Sequence, residues 1–471
     1  MRNRSLLSLG AISTLTLCVN AALISTALAQ NAPESEKKET QHLGEIAVTG
    51  SALPSAPDEI AVPVITIDAA QIAALGVDTN ALEILRKAIP AFAGRSNTGN
   101  SNANNNNQNT AGGSQLQLRN LPTLILVNGR RVANSGVGGI NGKNFVDVSQ
   151  IPAAAIDRIE VLADGASSLY GSDAIGGVVN FILKSDYTGL SAGARVASAD
   201  GDYGERSAYV TGGASIAGFN LVGTLSVQHS DPLYQNTRSF TSPLYGKTSG
   251  IPGVVNGGNY ILGSGIDSPS QRNPTGTAAT AGSITDLVNN GTYVATTPGA
   301  IAAGFDVSPY QTLLLRQNQD AFVGSVTKTL VEEKNLEFFG DVMLSHDQSF
   351  TRWLPVASTG NTVAAGSPYN PLTTSFTGVT FSYLPYTHNF YNDVDAYRVT
   401  AGLRGELAPK WTWETAVVYS ESDLDQKQTG LIYKPNIAKA IAGGYDSNGN
   451  PVAGGAYSKV YDDYSLLNAL V

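Results

Sequence analysis

Alternation in the second half of the chain constrains the fold more than any other feature. Before Lys184 the sequence is a series of short apolar runs punctuated by glycine and asparagine; beyond it come long stretches in which apolar and polar residues alternate. Tyr397, Val399, Ala401, Leu403 and Leu407 share one parity, while Arg398, Thr400, Arg404 and Glu406 share the other. A strand with one face in lipid and one in a wet lumen requires this pattern. Trp411, Trp413, Val417 and Tyr419 repeat it against Thr412, Glu414 and Ser420, with Ala408, Pro409 and Lys410 as the turn.

The same pairing recurs twice upstream, as 205–216 with 219–229 around Gly218 and as 320–331 with 335–345 around Glu332, Glu333 and Lys334. These segments suit a tilted membrane strand of about 9–11 residues. A first strand at 188–198 brings the count to seven, and the seventh is expected to run outward into the polar stretch 423–471. Long connections, 230–319 and 346–393, separate the pairs. Short turns on the periplasmic side and long loops outside are the plan of a bacterial outer-membrane barrel. A soluble β-sandwich also alternates, but its turn signals come about every 8–12 residues, and loops as long as 230–319 are uncommon in compact domains.

Export agrees with that reading. Arg2 and Arg4 precede an apolar run over 6–28, broken by Ser13, Thr14, Thr16, Asn20, Ser25 and Thr26, and Ala27-Leu28-Ala29 offers a small-residue cleavage site. Residues 1–29 therefore read as a signal peptide. Its removal takes away Cys18, the only cysteine, and with it any disulfide or thiolate-bound metal. Losing Arg2 and Arg4 leaves 27 basic against 38 acidic side chains, a net charge of −11. Nucleic-acid binding normally needs the opposite excess.

The first half of the mature chain reads as a small α+β domain over 58–186, preceded by a leader over 30–57. Within the leader, Glu45, Ile46, Ala47, Val48, Thr49 and Gly50 form a short β-prone run. A strand is expected at 62–67, and Asp68 with Gln71 forms a capping-box start for a helix ending at Gly76. A second helix follows Asp78 and Thr79, carries Leu82, Ile84 and Leu85, and stops at Pro90. Residues 115–119 alternate, 124–132 fold over Asn128-Gly129 as a hairpin, and 158–162 and 176–183 are further strands.

Several of these runs resemble one family. Residues 45–50 look like a TonB box, Leu118-Arg119-Asn120-Leu121 like an LRGL-type plug motif, and Leu126-Val127-Asn128-Gly129-Arg130-Arg131 like the "lvDGRR" hairpin. The run from Ile151 through Arg158, Glu160, Gly165, Tyr170, Gly171, Gly176 and Gly177 to Asn180 is similar, nearly position for position, to the plug of TonB-dependent outer-membrane receptors. Asn120 and Asn128 stand where the pattern has glycine and aspartate, swaps that keep turn chemistry because asparagine tolerates the left-handed region. The expected fold is an α+β plug followed by an antiparallel transmembrane β-barrel, incomplete at about seven strands, over 187–471.

That resemblance implies TonB-dependent uptake of a scarce extracellular substrate, such as a siderophore or saccharide, across the bacterial outer membrane. TonB would pair with the box by β-strand addition, drawing on the proton gradient of its inner-membrane complex, and no chemistry would be done on the substrate. No cofactor is implied, and the partners are TonB, outer-membrane lipid and the substrate. Arg119, Arg130, Arg158 and Glu160 are the plug charges to follow, either as ion pairs locking plug to wall or as solvated edge residues. The stretch between the cleavage site and Glu45 is too short for a periplasmic signalling domain.

Other signals are weaker. Gly246-Lys247-Thr248 imitates the end of a P-loop, but Thr241 stands where its first glycine belongs. His42, His229, His346 and His388 lack metal-ligand spacing in sequence, and residues 446–450 read as a turn rather than a calcium loop. The Asn-rich 97–109 reads as a loop in the plug, and the aromatic-rich 381–391 as a membrane-interface girdle or binding segment. Seven strands cannot close around such a plug, so the expectation is the N-terminal part of a longer receptor. The alternative is a non-transporting remnant that at most binds TonB.

Overall fold

The computed structural model describes residues 64–76, 81–92, 97–98, 112–136, 144–163, 167–200, 202–241, 247–248, 260–262, 293–295, 305–306, 308–353, 357–363, 375–382, 387–408 and 411–431. All belong to one compact unit, Ala47–Val471.

Strand β1 (Val64–Asp68) runs directly into helix α1 (Ala69–Ala74). Both bonds of the capping box form: the Asp68 carboxylate accepts from the Gln71 N–H at 2.8 Å, and the Gln71 side chain accepts from the Asp68 N–H at 3.0 Å. Helix α2 (Ala81–Ala88) buries Ala81, Leu82, Ile84 and Leu85 and gives way at Pro90 to a short 3₁₀ turn. Strands β2 (Leu124–Val127) and β3 (Arg130–Arg131) form the Asn128-Gly129 hairpin, followed by β4 (Ile156–Leu162) and β5 (Val178–Leu183).

The plug sheet has the order β1-β4-β5-β2-β3, and only β2 and β5 are parallel. Those central strands are apolar on both faces, apart from Asn180 of β5, because both faces are covered. Ile125, Val127, Val179 and Phe181 pack with Leu82 and Leu85 of α2 on one side, while Leu124, Leu126 and Val178 pack on Leu162 and Ala174 on the other. Residues 115–119, whose alternation suggests one strand, are instead two short ones, Ser114–Gln115 and Gln117–Leu118. Both are buried on each side, and Arg119 and Asn120, at φ 55° and 61°, turn the chain sharply into Leu121–Pro122.

The wall is one antiparallel sheet in chain order: β6 (Gly189–Ala199), β7 (Tyr203–Ile216), β8 (Phe219–Ser230), β9 (Arg316–Val331), β10 (Leu336–Trp353), β11 (His388–Ala408) and β12 (Trp411–Thr429). Among the described residues β6 and β12 each have a free edge, so the sheet is not closed. The turn between β7 and β8 is Ala217-Gly218, both at positive φ, and Asn335 at φ 45° ends the turn between β9 and β10.

The strands are longer than the alternation indicates. Residues 346–393, read as one long connection, are largely strand: β10 continues to Trp353, β11 begins at His388, and the hairpin Ala357–Val363 with Phe376–Ser382 lies between them. At about 3.3 Å per residue a 21-residue β11 is roughly 70 Å long, more than twice a hydrocarbon core of about 30 Å. Beyond the lipid neither face need be apolar, so the period-two signal fades while the strand continues.

Cross-strand register sorts the two faces. One outward row is Leu190, Gly212, Gly223, Gly324, Val342, Val399 and Tyr419, and the next toward the long connections includes Val210, Leu225, Phe322, Leu344 and Tyr397. The row after that changes to Asp320, His346, Asp395 and Asp423, where the apolar band ends. Gly212, Gly223 and Gly324 leave an open groove of about 640 Å³ in the outward face, bounded by Leu221, Val326 and Phe338. The inward face meets the plug, with Val323 and Met343 in the plug's own core.

Candidate functional site

The hairpin tip is the best-defined contact between plug and wall. Asn128, at φ 51°, receives the Leu183 N–H on its side-chain oxygen at 2.9 Å. The Gly129 N–H donates to Asn180 Oδ1 at 2.9 Å, and the Asn180 amide donates to Glu160 Oε2 at 3.4 Å. Arg158 Nε donates to Glu160 Oε1 at 3.0 Å. A polar relay therefore crosses the sheet from β4 to the hairpin turn through Glu160, which is fully buried.

For Arg158 and Glu160 the choice posed is between an ion pair to the wall and a solvated edge; the structure pairs them with each other, with Glu160 buried. They form a pair inside the plug, because β4 is the second strand of a covered sheet. Arg130 does reach the wall, pairing with Glu414 of β12 and lying 4.7 Å from the ring centroid of Phe339. Arg119 is exposed, and its guanidinium donates to the Ala163 carbonyl. Arg131 pairs with Asp173 at 2.6 Å and donates to the Tyr170 carbonyl at 3.2 Å, fastening the short helix Ser167–Tyr170 to the hairpin.

The motif glycines follow from backbone geometry. Gly171 and Gly177 have φ of 83° and 131°, and a Cβ on Gly176 or Gly177 would lie 2.7 Å from the Pro122 carbonyl or 2.5 Å from the Leu162 carbonyl. Gly165 and all six residues of the candidate box, 45–50, lie outside the described residues. So do the signal peptide, residues 446–450 and, except for 97–98, the Asn-rich tract.

Residues that periodicity marked only as inward-facing carry the deepest wall contact. Arg398 of β11 is 2 % exposed, pairs with Asp341 of β10, and donates from Nη2 to the Val127 carbonyl of the plug hairpin at 3.1 Å. Alternation placed Arg398 in the lumen; nothing in the sequence showed its strand partner. Further along, the Ala133 N–H donates to Ser420 Oγ at 3.0 Å, and the Ser325 hydroxyl donates to the Lys184 carbonyl at 2.6 Å. Burial lowers the Lys184 ammonium from its ordinary value, opposed by the charge of Asp157.

A second contact is made by 144–150. Asp147 lies 4 % exposed at the start of the 3₁₀ turn Val148–Gln150, and its Oδ1 accepts from the N–H groups of Ser114 and Ser149 and from the Ser149 hydroxyl, at 2.8, 2.9 and 2.6 Å. Burial pushes its carboxyl up, against the lowering effect of those three donors. The Gln319 amide of β9 donates to the Ser149 carbonyl.

Part of the aromatic segment 381–391 differs from a girdle. His388 and Phe390 lie on the inward face with Trp353, at ring separations of 4.5 to 6.0 Å, whereas Tyr391 packs at a tilt against Phe350 outside. His346, half-buried on β10, and the exposed Asp393 and Asp395 of β11 bring ligating atoms within 4.8 Å of one another. His346 Nδ1 stands 2.8 Å from Asp395 and 3.4 Å from Asp393, as an imidazole between two carboxylates does, and we assign no metal there. Register across strands, not spacing along the chain, creates that group.

Residues 56–178 match the family described as TonB-dependent Receptor Plug Domain. That stretch is a TonB-dependent receptor plug domain. The chain is 39% identical over 95 residues to the vitamin B12 transporter BtuB of Photobacterium profundum, a match covering 20% of the chain and 14% of that transporter. It is also similar to the ferric enterobactin receptor PfeA of Pseudomonas aeruginosa, at 16% identity and a TM-score of 0.37, covering 77% of the chain and 45% of PfeA. The ferric preacinetobactin receptor BauA of Acinetobacter baumannii matches at 11% identity and a TM-score of 0.39, covering 80% and 49%. The chain thus spans about half the length of these two structures and much less of the B12 transporter. TonB-dependent receptors are outer-membrane β-barrel proteins.

Proposed function

We propose that this receptor imports a scarce extracellular ligand, a metal chelate or cobalamin-like compound or a saccharide, with TonB pulling on the plug through residues 45–50. The observation that carries the reading is a plug matching the family and seated on the wall by contacts that displacement can break: the Val127 carbonyl on Arg398, Arg130 on Glu414, and 144–150 on β9. A β-prone segment preceding such a plug can transmit a pull through backbone hydrogen bonds with little demand on side-chain identity.

Val48→Pro removes one backbone donor from the centre of that segment. The measurement is binding of the TonB periplasmic domain to the purified receptor, together with accumulation of radiolabelled ferric siderophores and cobalamin by cells expressing it. Loss of TonB binding, and of accumulation wherever wild type accumulates the label, is expected. Unchanged TonB binding by the proline variant refutes the assignment of 45–50.

A further inference from the structure

The seam between 144–150 and the wall contains two buried carboxylates, Asp147 at 4 % and Asp347 at 3 % exposure. Their surroundings differ in one respect that decides which can hold a charge. Asp147 Oδ1 has three donors, whereas Asp347 has one, the Gln317 amide at Oδ2, and its Oδ1 is without a partner among the described residues. The remaining seam groups are neutral: Gln319 bonds the Ser149 carbonyl, and Ser349 lies against Gly112 and accepts from Asn392 at 2.9 Å. The charges acting on Asp347 are Asp147 from the plug and Asp393 from β11, both negative. Arg316, His346 and Arg352 occupy positions of the outward parity, and the inward bases of β11, Arg398, His388 and Arg404, stand four, six and ten positions along the strand from Val394, the cross-strand partner of Asp347, with Arg398 already paired to Asp341.

We propose that Asp347 carries a proton in the closed seam, and that this neutral carboxyl clamps 144–150 of the plug to the wall until water entering the seam ionises it. Three donors stabilise an ionised Asp147. An ionised Asp347 would add a second buried negative charge without a basic counterpart, whereas its protonated form turns an orphaned acceptor into a donor. The closed seam binds the proton more tightly than the open one does. The clamp is therefore strongest at low pH and is lost as pH rises through the Asp347 value in the closed seam. On opening, the carboxyl O–H bond breaks and its proton passes to water, leaving a carboxylate. The protonation stands on the seam alone; its use in releasing the plug rests on the transport reading above.

The test is infrared spectroscopy of the full chain in lipid vesicles, reading the carbonyl stretch of neutral carboxylic acid that shifts in deuterated water. Wild type shows this signal at about pH 7, and Asp347→Asn lacks it. In parallel, amide exchange over 144–150, corrected for intrinsic rates, rises at least tenfold between about pH 6 and pH 9 in wild type and stays flat in Asp347→Asn. Asp393→Asn, at an exposed position, removes one negative charge and moves the wild-type midpoint to lower pH. An acid signal retained in Asp347→Asn, or a midpoint unmoved by Asp393→Asn, overturns the proposal. Neither readout involves TonB or a transported ligand, so failure of the transport reading leaves this test intact.

Discussion

Arg398→Met is the substitution with the largest expected effect on how the plug is seated. Arg398 and Asp341 side chains are 2% and 3% exposed, so removing the guanidinium leaves a carboxylate buried and unpaired at about 3–5 kcal/mol. The same change deletes the Nη2 bond to the Val127 carbonyl, a charged donor contributing about 1.5–3 kcal/mol. The two overlap, because both describe one group leaving one site, and the expected total is about 4–6 kcal/mol. Adding Asp341→Leu removes the stranded charge. The double variant should then lose only about 2–3 kcal/mol, a coupling of about 2 kcal/mol or more between the sites.

The assay is guanidinium unfolding in lipid vesicles, followed by the fluorescence of Trp353, Trp411 and Trp413, which all lie on β10 and β12. Exchange of the Gly129 and Leu183 amides, which close the hairpin on Asn180 and Asn128, reports separately on the plug. Both should accelerate in Arg398→Met. A loss below about 1 kcal/mol, or single losses that add without coupling, would show that the pair is solvated and that the seat lies elsewhere.

Glu414→Gln tests the other ionic contact and should cost under about 1 kcal/mol by the same unfolding assay, because Glu414 is 50% exposed; a loss above about 2 kcal/mol would refute that ranking. Gly177→Ala should destabilise the plug by about 1–3 kcal/mol, since φ is +131° and the new methyl would sit 2.5 Å from the Leu162 carbonyl oxygen. Limited proteolysis of the plug measures it, and wild-type resistance would refute the strain argument.

What the sequence disclosed follows from which forces leave a local trace. The lipid-facing parity of β11 and β12 was legible because Val399, Leu407 and Val417 need apolar side chains wherever they meet hydrocarbon. The Asp68 cap and the Asn128 turn were legible because their partners lie within a few residues or their φ demands a particular residue. Arg398 with Val127, Asp147 with the wall, and His346 with Asp395 were not. Each is fixed by strand register or by how the plug sits, over separations that periodicity does not report. The upper halves of β10 and β11 escaped notice for a different reason: above the bilayer both faces are polar, as Asp347, Gln348, Asn392 and Asp393 illustrate, and alternation carries no information.

The outward glycine row bears on how the wall bends. At Gly212, Gly223 and Gly324 three neighbouring strands meet with no side chains to prop them apart on the membrane side. Bulky cross-strand neighbours resist curling, and glycine relieves that resistance. The row is a crease running across the strands at mid-band, along which β7, β8 and β9 can coil toward the plug without crowding their lipid-facing atoms. Filling it with three leucines would stiffen the sheet at the place where a closing barrel has most need to curve.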